Sequence, residues 1–560
     1  MANIADLFAR QLASPGTVLY RHCPGADWQD VTAADLAPEI ARWQAAFRRR
    51  GLAAGDRVVL CARNGPSWVA DDLAALGQAL VVVPLYVDDN PENVAWCAAN
   101  AEAKLIIVES ARLAHGLRKA AAATGALAPI VVLRADEPLT ADDDAVAADE
   151  FLAPADGDIE VAPLPDDTLA TICYTSGTSG RPKGVMLSHG NILANVAACR
   201  ETGMARQTDR FLSMLPLSHM FERTGGYYLP LSLGATVVYA RGIAQIAEDL
   251  ASQAPTVVFA VPRIFERFAA RIDSALAKSR LKRRLFDACV AIGYRVERGD
   301  GSIVDRLVVK VLRPLVATPI LAKMGGKLRL AVVGGAALDP ALARTFNGLG
   351  LPLLQGYGLT EASPVISVNR ETDNDPESVG PPLPGLEIKL LDGGELAVRG
   401  PSVMIGYWHN DQATREAIDA EGWLHTGDIA EIRDGKIYIR GRAKDILVMS
   451  NGEKLSPQDA EFALLRDPVF EQVMLVGEGR PFPILLAVTK ETDESALLTR
   501  ANDQLASFPR WVRVRRVIAT REPWDIDSGL LTPTLKLKRP LVAKRFAEQI
   551  EAAYADAGKK

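Results

Sequence analysis

Six short aliphatic runs, at 58–60, 80–83, 105–108, 130–133, 257–259 and 330–333, constrain the fold more than any other feature of the sequence. Runs this short and this uniformly apolar read as strands covered on both faces, the condition of a parallel sheet. Between several of them lie Ala-rich stretches with helical spacing, at 34–50 and 111–123 for example. Alternation of that kind is crossover construction, so the fold class is α/β, built on helix-covered sheets. Residues 134–168 are acidic, dotted with proline and without apolar period, and are expected to be an exposed connection. After about residue 380, Gly and Pro punctuate short strands such as 395–399 and 436–440, which predicts a smaller β-rich part with antiparallel pairing. At 560 residues the chain exceeds what one hydrophobic core organises, so at least two cored units are expected.

Charge and cysteine usage remove several classes of function. Sixty-three Lys and Arg against sixty-nine Asp and Glu leave a net charge of −6. No global positive field is available for a nucleic-acid backbone, and nucleic acid is not an expected partner. The cysteines, Cys23, Cys61, Cys97, Cys173, Cys199 and Cys289, form no CxxC pair and are sparse for the length, as in a reduced compartment. Asp6 and Arg10 interrupt the N-terminus where an export signal needs an unbroken apolar stretch. The longest nearly apolar run, 73–87, is broken by Gly77, Gln78 and Pro84 and is shorter than the ~20 residues of a bilayer span. A cytoplasmic location without a transmembrane helix is the expectation.

The sharpest chemical signal is TSGTSGRPKG at 175–184, between the apolar stretch 169–173 and the run 185–187. Glycines at 177, 180 and 184 let backbone approach a ligand, four hydroxyls and free N–H groups can surround phosphate oxygens, and Lys183 adds charge. The pattern differs from a Walker loop, because Pro182 precedes Lys183 and Gly184 follows it, so ordinary P-loop hydrolysis is disfavoured. Composition alone equally allows a flexible Ser/Gly surface loop.

This loop resembles the phosphate-loop signature of the adenylate-forming superfamily, which includes acyl-CoA synthetases, luciferases and peptide-synthetase adenylation domains. Five later segments agree in order: GGAAL at 334–338, QGYGLTE at 355–361, TGD at 426–428, GRAKD at 441–445 and LTPTLK at 531–536. LPLSHMFE at 215–222, the cationic stretch 278–329 and the ending LLTPTLKLKR point to the long-chain acyl-CoA synthetase branch. The resemblance implies a large AMP- and acyl-binding domain, 1–441, and a small mobile α+β lid domain, 442–560, carrying the catalytic lysine. It implies that Thr175, Ser176, Gly177, Thr178, Ser179, Gly180 and Lys183 hold the β- and γ-phosphates of ATP, and that Thr360 contacts the α-phosphate. Glu361, with the Thr175 hydroxyl, is the implied Mg²⁺ site, and hard oxygen ligands suit that ion. Tyr357 is expected to stack on adenine opposite Gly334, Gly335 and Ala336, with Gln355, Gly356 and Gly358 beside it. Asp428, assisted by Arg442, is the implied partner of the ribose hydroxyls. Lys444 is the implied pivot of the lid. Lys536 is the implied catalytic lysine, with Lys538 as the fallback, because many relatives carry a different local pattern there.

The reaction implied is ligation of a long-chain fatty acid, preferentially of ~C10 or more, to coenzyme A through an acyl adenylate, with AMP and pyrophosphate released. The alternatives are a fatty-acyl-AMP ligase that loads a carrier protein, or an inactive lipid or nucleotide sensor. His219 and Phe221 are placed by the resemblance beside the acyl pocket and the CoA tunnel, and a packed core role for His219 stays open. Gly225 and Gly226 are expected to leave room for an alkyl chain, and His189 is expected to be structural. Two basic clusters, 278–284 and 510–516, interleave cations with apolar residues. Either one allows peripheral contact with anionic lipid at the inner face of the membrane, or is simply a solvated face.

Overall fold

The computed structural model describes residues 3–121, 127–139, 144–152, 157–175, 181–525, 528–531 and 537–557. They divide into two compact units: Met1–Lys389 with Ala397–His425 and Arg433–Ile437, and Leu390–Leu396 with Thr426–Ile432 and Tyr438–Lys560.

In the first unit the six aliphatic runs become inner strands of two eight-stranded sheets. Arg57–Cys61, Val81–Pro84, Leu105–Ser110 and Ile130–Arg134 pair in parallel, with Val59 opposite both Val83 and Ile106. The other sheet runs Val365–Val368, Leu353–Gly358, Leu330–Val333, Val257–Ala260, Arg210–Ser213, Thr236–Tyr239, Val18–His22, Gln29–Thr32. Its inner six strands are parallel and its two edge strands antiparallel. Helices cover these sheets as their spacing requires. Ala33–Arg49 starts at a reciprocal cap between Thr32 and Asp35 and buries Leu36, Ile40, Trp43 and Phe47, one stripe at i, i+4, i+7 and i+11. The second expected helix is described as Ala111–Ala121, and the last two residues of the expected span lie outside the described residues.

Two expectations need correction. The stretch 134–168 is not wholly an exposed connection: Ala145–Ala147 adds a parallel strand to the sheet edge at Ile130–Arg134, and a short helix, Ala148–Phe151, follows. Phe151 is buried, its ring 5.7 Å from that of Trp43, so the contact that orders the segment lies about a hundred residues away and leaves no local period. The strand expected at 436–440 continues to Arg442. It forms a hairpin with Leu424–Arg433 through Asp434 (φ 49) and Gly435 (φ 76), the positive angles that a two-residue connection of this hand requires. With Glu387–Leu390 and Glu395–Arg399 these strands complete a four-stranded sheet.

The second unit is α+β. Gln472–Val476 pairs antiparallel with Ile484–Val488, which pairs in parallel with Val517–Thr520. Strand alternation gives two cores: Leu475, Leu485 and Ala487 face Leu464, Leu497 and Leu505, while Met474, Leu486 and Val488 face Trp524, Val542 and Phe546. The basic cluster 510–516 feeds the first of these cores, with Val512 and Val514 buried, Trp511 packed against them and Arg510, Arg513 and Arg515 exposed. These cations stand exposed over a packed segment. Among the described residues no helix is long and apolar enough to cross a membrane, and all six cysteines are unpaired.

Candidate functional site

Strand pairing fixes the two ends of the Gly/Ser/Thr loop. Leu169–Thr175 and Lys183–Ser188 run antiparallel, with Tyr174 opposite Gly184 and Thr175 opposite Lys183. Ser176, Gly177, Thr178, Ser179 and Gly180 lie outside the described residues. Gly184 is sterically required, since a methyl group there would meet Ile172 Cγ2 at 2.7 Å and Trp408 Cβ at 3.2 Å. A third strand, Gly406–Tyr407, pairs with Lys183–Ser188, and the Trp408 N–H donates to the Gly184 carbonyl at 2.7 Å.

This third strand carries a residue that the sequence reading missed. Tyr407 lies beneath Lys183, whose Nζ is 4.9 Å from the ring centroid, and its hydroxyl donates to Glu361 Oε1 at 2.8 Å. Burial, together with the Glu361 carboxylate, holds the phenol well above its ordinary pKa, so Tyr407 remains a donor. The Met404 N–H, donating to the Glu361 carbonyl at 2.8 Å, anchors the same neighbourhood from the backbone. Lys183 and Glu361, far apart in sequence, are thereby gathered around one aromatic ring, with Thr175 paired to Lys183 on the neighbouring strand. The available signal was the aromatic pair Tyr407-Trp408 directly after Gly406.

The donor set suits Mg²⁺. Among the described residues there is no group of three or more His, Cys, Asp or Glu able to form a resident cage. One half-buried carboxylate held by a phenol, with a hydroxyl on a nearby strand, fits an ion that completes its octahedron with substrate phosphates and water.

The second cluster sits where two parallel strands end, the customary place for a ligand in such sheets. Val333 pairs with Gln355, so Gly334, Gly335 and Ala336 emerge beside Gln355, Gly356, Tyr357 and Gly358. Gly335 has φ 78, a turn conformation suited to glycine. A methyl group on Gly334 would lie 3.0 Å from Phe221 Cζ and 3.5 Å from the Gly356 carbonyl oxygen, so the 215–222 segment closes directly on this turn. Tyr357 is half-buried on the strand, opposite Ser367. Thr360 and Glu361 follow in a single 3₁₀ turn, Thr360–Ala362, and both are half-buried.

Phe221 packs edge-on against Phe259, with centroids 5.7 Å apart, while half-buried His219 ends its loop by accepting the Arg223 N–H on its carbonyl at 2.9 Å. Behind it runs a π-helical segment, Arg223–Tyr228, a form that often marks functional sites. It is pinned by a buried ion pair between Arg223 and Asp72. The Tyr227 and Tyr228 hydroxyls donate to Asp72 Oδ2 at 3.2 and 3.0 Å, and Arg223 Nη1 donates to Thr171 Oγ1 at 2.9 Å. The glycines of this segment do not leave room for an alkyl chain. A methyl group at Gly225 would strike the Phe259 ring at 2.7 Å, and the space beside Gly226 is filled by the Glu222 carboxyl. Those glycines admit protein side chains, Glu222 from the preceding turn and Phe259 from a distant strand that local sequence does not reveal. His189 is structural as expected, being buried with Nδ1 accepting the Ile4 N–H at 3.1 Å.

In the second unit, Asp428 is buried and lies 3.3 Å from Arg442 Nε, and its N–H donates to Thr426 Oγ1 at 3.1 Å. Arg442 ends its strand and is exposed, and its carbonyl accepts the Asp445 and Ile446 N–H groups at 3.0 and 3.1 Å. Exposed Lys444 stands in the turn so formed. Lys536 lies outside the described residues, while Leu531 and Leu537 on either side of it form an antiparallel bridge. Lys538 is half-buried, its N–H donating to the Leu530 carbonyl at 2.9 Å at the start of helix Arg539–Arg545.

Comparison with known proteins identifies the family. Residues 8–408 match the model of the AMP-binding enzyme family, and residues 444–558 match that of the AMP-binding enzyme C-terminal domain. The long-chain-fatty-acid–CoA ligase FadD15 of Mycobacterium bovis is 32% identical, over 99% of this chain and 97% of its own. A long-chain-fatty-acid–[acyl-carrier-protein] ligase from Arabidopsis thaliana chloroplasts, AEE15, is 26% identical over 94% of this chain and 83% of its own. The crystal structure of the anthranilate CoA ligase AuaEII in complex with anthranoyl-AMP shares the fold at 20% identity, with a TM-score of 0.76 and 98% of each chain covered. With the family model spanning most of its length, and the paired strands Leu169–Thr175 and Lys183–Ser188 set on that fold, this chain belongs to the AMP-binding enzymes.

Proposed function

We propose that the chain joins a long-chain fatty acid to coenzyme A, by attack of the acid on the α-phosphate of ATP and transfer of the acyl group from the resulting adenylate to the thiol. The observation that carries this reading is the similarity, along almost the whole chain, to a long-chain-fatty-acid–CoA ligase. In the first step negative charge builds on phosphoryl oxygens, and stabilising it requires fixed cations and oriented donors. Lys183, next to Tyr407, supplies a cation at the mouth of the loop. Thr360 is the proposed contact to the α-phosphate, and Tyr357 with Gly334 and Gly335 the proposed adenine slot. Asp428 and Arg442 are the proposed ribose site, since a carboxylate accepts two hydrogen bonds from a diol. Mg²⁺, held by Glu361 and Thr175, would neutralise phosphate charge when bound. Residues 442–560 are proposed as a lid that turns about Lys444, with Lys536 acting in adenylation.

A second reading has its own support in the similarity to a ligase that acts on an acyl-carrier protein. Supplying free CoA with ATP and acids from acetate to C18 separates the two. Thioester formation with kcat/KM greatest at ~C10 or above is expected, because each added methylene buried in a pocket contributes about 1 kcal/mol. A maximum at acetate or at an aromatic acid sinks the long-chain assignment, and adenylate without CoA thioester turns the choice to a carrier protein.

A further inference from the structure

We propose that the helical segment 278–323 is a docking surface for an anionic lipid bilayer, with the outer face of helix Ile303–Leu312 lying on the acyl boundary. Among the described residues, the six most exposed large apolar side chains all fall between 281 and 315: Leu281 (68%), Ile303 (78%), Val304 (67%), Leu307 (59%), Val311 (67%) and Leu315 (62%). Ile303, Leu307 and Val311 are spaced by four on the helix and form one stripe, with Val304 at its border, and exposed Leu315 follows in the π-helical turn Arg313–Ala317. The opposite side of the same segment is packed. Val309 is buried, and Leu312, Val316 and Ala317 join the core beside Leu349 and Leu351. Solvent therefore faces an apolar stripe on a well-anchored helix, an arrangement that a soluble monomer rarely keeps without a partner.

Charge identifies the partner. Between 278 and 323 there are eleven Lys and Arg against four Asp and Glu, in a chain whose net charge is −6. Three of the four acids are held internally: Asp305 by Arg295, Asp300 by Arg298, Glu297 by Arg313. Lys278, Arg280, Lys282, Arg284, Arg306, Lys310 and Lys323 stay exposed and make no ion pair among the described residues. Arg306 and Lys310 stand on the stripe's own helix, and Arg280, Arg283 and Arg284 line a cleft with Leu276 and Ala277. An apolar stripe bordered by cations matches acyl chains beneath acidic head groups. A second copy of this chain does not match, because a two-fold contact would set this cationic surface against itself.

Sedimentation with lipid vesicles tests the surface without turnover, so its result is independent of which acid the enzyme takes. The full-length chain is expected to pellet with phosphatidylcholine vesicles containing about 30% phosphatidylglycerol at least ~10-fold better than with phosphatidylcholine alone, and less so as salt rises. The double variants Leu307→Glu/Val311→Glu and Arg306→Ala/Lys310→Ala should each lower that partitioning by about tenfold, with unchanged melting temperatures showing that they remain folded. The proposal is overturned if the parent chain does not prefer the anionic vesicles, if folded variants pellet as it does, or if the parent sediments as a dimer that Leu307→Glu/Val311→Glu dissociates. A chain that binds these vesicles but ignores long acids would reject the proposed reaction and leave the surface standing.

Discussion

At Gly358 a methyl group would sit 1.9 Å from the carbonyl oxygen of Pro364, a backbone atom that cannot turn aside. Two residues earlier, at Gly356, the nearest atoms to the same methyl group are 3.6 Å away, an ordinary contact. The two glycines that flank Tyr357 therefore differ: at 358 the missing side chain lets two strands meet, while at 356 a methyl group has room. Gly358→Ala should lose about 1–3 kcal/mol of stability through displaced backbone. Gly356→Ala should stay within about 0.5 kcal/mol and instead weaken nucleotide binding. Urea unfolding and nucleotide titration of both variants check this, and equal stability losses would show that the steric difference is absorbed. Tyr407 belongs to the same scale, because one phenol links Lys183 to Glu361 and sets where charge of each sign stands.

The π-helical segment and its neighbours carry two buried groups that titrate in opposite senses. Burial raises the Glu222 carboxyl to about 8, so it keeps its proton in the folded chain at neutral pH. Burial, and secondarily the Arg223 charge, lowers His189 to about 4, so it stays neutral. In the unfolded chain these groups titrate near ~4.3 and ~6.5. For Glu222 the unfolded state releases its proton first. Its contribution to stability is complete below the unfolded value and is lost as pH rises through about 8. For His189 the unfolded state takes up the proton first, so its contribution is complete above the unfolded value and is lost as pH falls through about 4. Urea midpoints measured from acid to alkaline pH should therefore show that Glu222→Gln flattens the alkaline limb and His189→Gln the acid limb. Profiles parallel to that of the parent chain would show that other groups set both limbs.

For the molecule as a whole, the proposed reaction requires one active site to serve an adenylation and a thiol transfer, which need different groups near the same carbon. If residues 442–560 are a lid, the turn after Arg442 is where its backbone angles change, as at hinges that occupy the ends of elements. Lys444→Pro fixes φ near −65°. It should preserve adenylation while slowing thioester formation from supplied acyl adenylate by ~100-fold or more. Lys536→Ala should do the reverse, losing adenylation by at least ~100-fold through a missing cation on phosphoryl oxygens while still transferring supplied adenylate. Rapid-quench assays of each half-reaction decide it. Near-normal rates of both in Lys444→Pro would move the hinge elsewhere, and equal losses of both in Lys536→Ala would remove that lysine's special role.

Strand positions such as Arg57–Cys61 and Leu330–Val333 were legible because a strand buried on both faces needs a local run of apolar residues, and a local run is what a sequence displays. The strand ends that carry Thr175, Lys183 and Gly334 were legible for the same reason, since they follow directly from those runs. Segments whose order comes from distant partners were not: Phe151 is fixed by Trp43, and the expected space at Gly225 is occupied by Phe259. Tyr407 was missed because only the pairing of Gly406–Tyr407 with Lys183–Ser188 brings its hydroxyl to Glu361. The sequence by itself determined the α/β class, the strands and the glycine-rich turns at their ends, all of which rest on short-range periodicity and conformational freedom. Only the tertiary structure decided which side chains meet, which glycines are filled and which apolar stripe is left facing solvent, because these follow from packing between residues whose separation in sequence carries no information about their separation in space.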